Sequence, residues 1–226
     1  MTGHDGCVPL TPSLDADAVL WSAAAAERDG RPLLVLLHGY GADERDLFAL
    51  AEYLPSEFIV AAVRAPLAPP WPSPGHSWYP IEGLESREPE YVTAAASRLI
   101  EWLELSHASV DVGLLGFSQG AAVAIQAMRL QPERFSFAVN LSGYATPGEL
   151  PGDAVLKAAK PPVFWGRGTR DDVIPQFLVE HTIQWLPEHA ELSGRVYQGL
   201  THSVSEQEIG DVRIFLEKQL ARSSSG

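Results

Sequence analysis

Ser118 stands in Gly116-Phe117-Ser118-Gln119-Gly120, a G-x-S-x-G arrangement that frames one hydroxyl with two glycines. The residues before it, Val112–Gly116, are apolar and read as a strand; those after it, Gln119–Leu130, are Ala-rich and read as a buried helix. A strand that turns directly into a helix forces the corner residue into a strained conformation, and flanking glycines remove side chains that would clash. The hydroxyl then stands clear of the sheet at a helix N-terminus, whose dipole favours negative charge. A serine that only caps a helix needs no glycine on both sides.

A serine hydroxyl attacks poorly until a base takes its proton. That base is a histidine held by a carboxylate, in the chain order Ser, Asp or Glu, His. Three histidines lie downstream of a possible acid. His181 falls inside a helix candidate and reads as a surface residue. His189 lies in the polar stretch Glu188–Glu191 and reads as a solvated loop residue. His202 follows the strand candidate Gly194–Tyr197 and a short Gly199-Leu200-Thr201 turn, where a catalytic group should project. For the acid, Asp171 and Asp172 both follow the strand candidate at Val163, and residue types alone separate them poorly. Acyl chemistry also needs donors for an oxyanion. The backbone N–H of Gln119 is one, and that of Tyr40, in the loop Leu37-His38-Gly39-Tyr40-Gly41, is the other. His38 precedes the nucleophile and reads as structural. Tyr40, Trp78, Tyr79 and Tyr144 are candidates for a substrate-pocket wall, with core packing as the competing role.

These residues need elements to hold them at strand ends. Strand candidates are Leu33–Leu37, Phe58–Val63, Val112–Gly116, Phe137–Leu141, Val163–Gly166 and Gly194–Tyr197. Several are apolar throughout, as strands of a parallel sheet covered on both faces must be. Ala18–Ala24 is expected to pair antiparallel with Leu33–Leu37 through a turn at Asp29-Gly30. Helix candidates are Asp43–Tyr53, Glu90–Leu105, Gln119–Leu130, Pro175–Leu186 and Glu206–Leu220, the last opened by a Ser205/Glu208 capping box. Pro66–Glu90 and Thr146–Pro162 read as irregular. Alternating strands and helices predict one α/β domain over residues 1–226, with ligands beyond the carboxyl ends of the strands. Residues 1–15 are expected to form a flexible arm and 221–226 a flexible tail.

Composition narrows the classes. The chain has 226 residues, 46% of them hydrophobic, and a formal net charge of −13. Such a charge disfavours nucleic acid or anionic lipid as the main partner. The single cysteine, Cys7, excludes an intrachain disulfide. No signal peptide and no apolar run near the ~20 residues of a membrane helix is visible, so no stable membrane insertion and a cytoplasmic location are expected. No H-E-x-x-H, cysteine pair or phosphate loop is present, so neither metal nor cofactor is expected.

The motifs "LLHGYGAD", "RAP", "SWY", "GFSQGA", "LSGY", D-x-V-I-P and G-x-x-H, in that order from about Leu33 to Leu220, resemble the phospholipase/carboxylesterase family of small α/β-hydrolases, relatives of the acyl-protein thioesterases. The resemblance implies an α/β-hydrolase fold with a mostly parallel central sheet, helices on both faces and no large cap domain. It assigns the acid to the first position of D-x-V-x-P, which is Asp171, and the base to His202. It departs where such sequences often carry an Asp after the Trp-aromatic pair; here the run is Trp78-Tyr79-Pro80. It implies carboxylic ester hydrolysis by a Ser118, His202 and Asp171 triad through an acyl-enzyme, on a small-molecule ester or acyl substrate, by a monomer or homodimer. The alternatives are thioester hydrolysis on acylated proteins, lysophospholipid cleavage or peptide cleavage with the same triad. A non-catalytic binding protein on this fold would be expected to lack a triad member or to block the oxyanion loop.

Overall fold

Leu33-Leu34-Val35-Leu36-Leu37 carries no polar residue, so a strand built from it must be covered on both faces. A computed structural model describing residues 11–81, 88–106 and 111–223 shows how. Among the described residues seven strands form one sheet: β1 Leu20–Trp21, β2 Leu33–Leu37, β3 Ile59–Val63, β4 Val112–Phe117, β5 Phe137–Leu141, β6 Pro162–Gly168 and β7 Glu191–Tyr197. Their order is β1-β3-β2-β4-β5-β6-β7. All pairings are parallel except β1 with β3. The helices are α1 Glu44–Phe48, α2 Pro89–Ser106, α3 Gln119–Leu130, α4 Asp153–Ala159, α5 Gln176–His189 and α6 Glu206–Ser223.

Alternate strand residues enter two separate cores. Leu33, Val35, Leu37, Val112 and Leu114 pack with the apolar faces of α2 and α3 and with Leu178 and Leu186 of α5. Leu34, Leu36, Leu115, Val139 and Phe164 pack with Leu47 of α1 and with Val212, Phe215 and Leu216 of α6. This is the α/β-hydrolase architecture. Among the described residues no insertion forms a separate cap, and no helix is long and apolar enough to cross a membrane.

The structure departs from the sequence reading in four places. First, Ala18–Ala24 does not pair with β2. Only Leu20–Trp21 is a strand, and it pairs with β3, Leu20 opposite Ala62 and Trp21 opposite Ala61. Strand β2 has β3 on one side and β4 on the other, so it has no free edge to offer. Second, the Asp43–Tyr53 helix is split into α1 and a 3₁₀ turn at Ala51–Tyr53, although Asp43 does cap it, accepting from Arg45 N–H at 2.8 Å. Third, Thr146–Pro162 contains α4. Its anchor is Arg129 of α3, which is fully buried. All five of its N–H donors are used, on Asp153 twice, Gln126, and the carbonyls of Thr146 and Gly148. A buried arginine is tolerable only with such complete pairing. Fourth, the last helix is longer than its candidate, Glu206–Leu220. Thr11 is buried with its carbonyl held by Arg98 at 2.7 Å, and α6 runs on to Ser223.

The capping box on α6 is half made. Glu208 N–H donates to Ser205 Oγ at 3.2 Å, but the Glu208 carboxyl turns inward and neither oxygen has a hydrogen-bond partner among the described residues. It lies against Gly166 of β6, where any side chain would strike it. Burial pushes its pKa up to about 7, with the nearby Ser205 backbone N–H opposing and the Asp211 charge adding. The folded state therefore holds this proton more tightly than the unfolded chain, whose value is near 4.5. Its stabilising effect is full below about pH 4.5 and is lost as pH rises through about 7. Glu208→Gln should thus be more stable than the parent at pH 8, by on the order of 3 kcal/mol, with no such gain at pH 4. Urea unfolding at the two pH values measures this; equal differences at both would refute a buried, proton-holding Glu208.

Candidate active site

Ser118 is the single residue between β4 and α3, and its backbone is at φ 53°, ψ −115°. A non-glycine residue persists there only when its surroundings over-determine it. They do: Ser118 N–H donates to Leu141 of β5 at 2.8 Å, and its carbonyl accepts from Ala121 and Ala122 of α3. The framing glycines have steric reasons. A side chain on Gly116 would strike the backbone of Gly120 and Ala121, and one on Gly120 would strike the Leu37 carbonyl of β2. Helix α3 is therefore pressed onto the ends of two strands, and the hydroxyl emerges at its N-terminus.

His202 Nε2 lies 2.8 Å from Ser118 Oγ, and His202 Nδ1 lies 2.8 Å from Asp171 Oδ2. Ser118, Asp171 and His202 are thus brought into one hydrogen-bonded line from the ends of β4, β6 and β7. Two loops make this possible. Thr169 N–H donates to Tyr197, Arg170 N–H to Leu200, and Gly199 N–H to Thr169 Oγ1, which laces the loop after β6 to the loop after β7. Gly168 allows the closest approach, since a side chain there would meet the Leu200 carbonyl. Asp171 Oδ1 accepts from Val173 and Ile174 N–H, leaving Oδ2 for the imidazole. Burial raises the Asp171 pKa, but the His202 bond, its charge and the two N–H donors outweigh burial, so the net shift is downward. Asp172 is exposed. The other histidines lie elsewhere. His181 is only partly exposed on α5 with a buried Nε2, and His189 ends α5 with its ring stacked on Trp185 at 4.0 Å. His189 thus closes a helix where its polar neighbours suggested a solvated loop, and His181 lies on a helix as expected.

The Gly39–Tyr40 loop borders the serine. A Cβ on Gly39 would lie 2.9 Å from Phe117 Cδ1 and 3.6 Å from Ser118 Cβ. His38 is buried, and its Nε2 can only accept from Ala65 N–H at 3.0 Å. Its Nδ1 therefore carries the proton and donates to the Gly39 carbonyl at 2.7 Å. Burial lowers its pKa, which suits this neutral tautomer. Gly41, at φ 78°, then lets the chain pair with residues 75–76: Gly41 N–H donates to His76 and His76 N–H to Ala42. Among the described residues neither the Tyr40 nor the Gln119 N–H is spent on a backbone acceptor.

Three of the four candidate pocket aromatics are buried. Trp78, Tyr79 and Tyr144 are at most 1% exposed and belong to the larger core. The Tyr79 and Tyr144 hydroxyls are 2.7 Å apart, and the Trp78 indole N–H donates to the His38 carbonyl. A large ring in a loop is buried whenever its polar atom finds a partner inside, which residue type alone does not reveal. Tyr40 remains half-buried at the loop. Residues 82–87, in the expected irregular stretch, lie outside the described residues. Among the described residues no group of three or more His, Cys, Asp or Glu could hold a metal ion.

The family model described as phospholipase/carboxylesterase matches residues 22–220. The chain belongs to that family. It is similar to acyl-protein thioesterase 1 of Cryptococcus neoformans, at 27% identity over 218 residues, covering 83% of this chain and 92% of that protein. Acyl-protein thioesterase 1 of Saccharomyces cerevisiae is 34% identical over 110 residues, 47% of this chain and 48% of that protein. The carboxylesterase of Mesorhizobium loti shares the fold, with a TM-score of 0.71 at 22% identity over 92% of this chain and 99% of that one. Members of the phospholipase/carboxylesterase family are hydrolases, and this chain is one. The glycine contacts above give a stability test. Gly120→Ala should cost about 3 kcal/mol or more by denaturant unfolding, because backbone and not a flexible side chain blocks the methyl group. Gly210→Ala, on α6 with open space around it, should stabilise by about 0.5–1 kcal/mol. Similar values for the two would contradict the close approach of α3 to β2.

Proposed function

We propose that the chain hydrolyses carboxylic esters through a covalent acyl-enzyme. Ser118 Oγ attacks the acyl carbonyl while His202 Nε2 takes its proton, forming a tetrahedral oxyanion. The N–H groups of Tyr40 and Gln119 receive that charge; Gln119 opens α3, where the first-turn N–H groups have no intrahelical acceptor. His202 then protonates the departing alkoxide as the C–O bond breaks. Water, deprotonated by His202, attacks the acyl-serine; the acid leaves as the C–O bond to Ser118 breaks and His202 returns the proton to Ser118 Oγ. Asp171 keeps the proton on His202 Nδ1 and stabilises the imidazolium. Every group in this scheme is a side chain or N–H of the chain itself. The observation that carries it is the Asp171–His202–Ser118 line of two 2.8 Å contacts beside the Gly39–Tyr40 loop.

A thioester substrate is the second reading, supported by the name of the Cryptococcus relative, which matches most of both chains. A thiolate leaves more readily than an alkoxide, so the same groups would serve. Turnover of p-nitrophenyl esters and acyl-thioesters side by side decides between them.

Ser118→Ala should abolish turnover of p-nitrophenyl esters and labelling by a fluorophosphonate while keeping the circular dichroism spectrum. Asp171→Asn should lower kcat by about four orders of magnitude, whereas Asp172→Asn should retain activity within about threefold. Full activity in Ser118→Ala, or a greater loss in Asp172→Asn than in Asp171→Asn, would overturn the assignment.

A further inference from the structure

We propose that the Gln119 side chain is a positioning residue that sets the separation of the two oxyanion donors, an inference that rests on the acyl-enzyme reading. Gln119 follows the serine, and its own N–H is one of the two donors. Gln119 is 2% exposed, so its carboxamide is buried. Gln119 Oε1 accepts from Trp78 N–H at 2.8 Å, and Nε2 donates to the Tyr79 carbonyl at 2.7 Å. A backbone N–H can only donate and a carbonyl can only accept, so the orientation of the amide is determined. Ser77 Oγ spends its one proton on the Tyr79 carbonyl at 2.6 Å and accepts from Gln119 Nε2 at 3.2 Å. The first residue of α3 is thereby stapled to residues 77–79.

That segment leads to the second donor. The Trp78 indole N–H donates to the His38 carbonyl at 2.8 Å, at the start of the Gly39–Tyr40 loop. His38 Nδ1 holds the Gly39 carbonyl. The Gly39 carbonyl and the Tyr40 N–H belong to one planar trans peptide and point in opposite directions, so anchoring the carbonyl aims the N–H. A continuous set of buried hydrogen bonds thus runs from the Gln119 carboxamide through Trp78 and His38 to the Tyr40 peptide. The residue that supplies one donor also braces the loop that supplies the other. A misplaced donor loses transition-state stabilisation without weakening ground-state binding.

Gln126, two turns along the same helix, is an internal comparison. It is equally buried, donates to Thr93 Oγ1 and accepts from Arg129, and among the described residues neither partner is hydrogen-bonded to the oxyanion loop. If Gln119 only satisfied the core, replacing it would behave like replacing Gln126.

The test uses Gln119→Leu, Trp78→Phe and Gln126→Leu in the full chain. Wild-type fluorophosphonate labelling at Ser118 is measured first, then kcat and KM on p-nitrophenyl acetate, Ki for phenylboronic acid (which becomes tetrahedral on the serine) and Tm. Gln119→Leu should lower kcat by about tenfold to a hundredfold with KM within about twofold, and raise the boronate Ki by the same factor. Trp78→Phe leaves the backbone groups that bond Gln119 in place and removes the indole donor to His38, so it should show the same pattern more weakly. Gln126→Leu should lower Tm while kcat and Ki stay within about twofold. Should Gln119→Leu fail to fold, Trp78→Phe carries the test. Unchanged kcat and Ki in the Gln119 and Trp78 variants, with only Tm reduced, would overturn the positioning role and leave the triad standing. An unlabelled wild type would overturn the acyl-enzyme reading and this inference with it.

Discussion

Helix α3 meets the carboxyl ends of β2 and β4 with no room for a methyl group at Gly116 or Gly120, and much of the site follows from that contact. The turn between β4 and α3 contains one residue, Ser118, which takes the positive φ that the close approach demands. Because the approach is to backbone, no rotamer change can relieve it. The strain at Ser118 is held by hydrogen bonds on both sides, to Leu141 of the neighbouring strand and from the first turn of α3. A hydroxyl so placed needs no further machinery to project beyond the sheet.

The same economy of space governs the loops around it. Gly39 lies against Phe117, Gly168 against the Leu200–Thr201 turn and Gly143 against Ala121. Each contact brings a loop from a different strand toward Ser118. The Asp171 and His202 loops are tied to each other as well as to the sheet. His202 and Asp171 are therefore set by backbone geometry, with side-chain exposures of only 15% and 8%. Low exposure strengthens the electrostatic interaction between them.

Buried charge is handled in three ways. Arg129 is saturated with acceptors and ties α3 to α4. Glu44 is paired with Arg64 at the end of β3, which brings its pKa down to about 2 against the cost of burial. Glu208 has neither kind of compensation, so burial raises its pKa to about 7. The first joins two helices, and the second fastens α1 to the end of β3. The third lies against Gly166 of β6, six positions along the chain from His202.

The order of strands and helices, the apolar character of the central strands, and the candidate serine, histidine and oxyanion loop were legible in sequence because they are local. Strand and helix periods repeat over a few residues, and Gly116-Phe117-Ser118-Gln119-Gly120 announces its own turn. Which of two adjacent aspartates faces His202 was not local. The motif resemblance indicated Asp171, and the structure shows the reason in the Val173 and Ile174 N–H groups that orient its carboxyl. Tertiary structure alone decided that β1 joins β3, because edge availability depends on how strands hundreds of atoms apart are ordered. It alone buried Trp78, Tyr79 and Tyr144, because an aromatic side chain suits a pocket wall and a core equally until its polar atom's partner is known. It alone turned the Gln119 carboxamide toward Trp78 and Tyr79, since a hydrogen bond across forty residues leaves no trace in the spacing of either end.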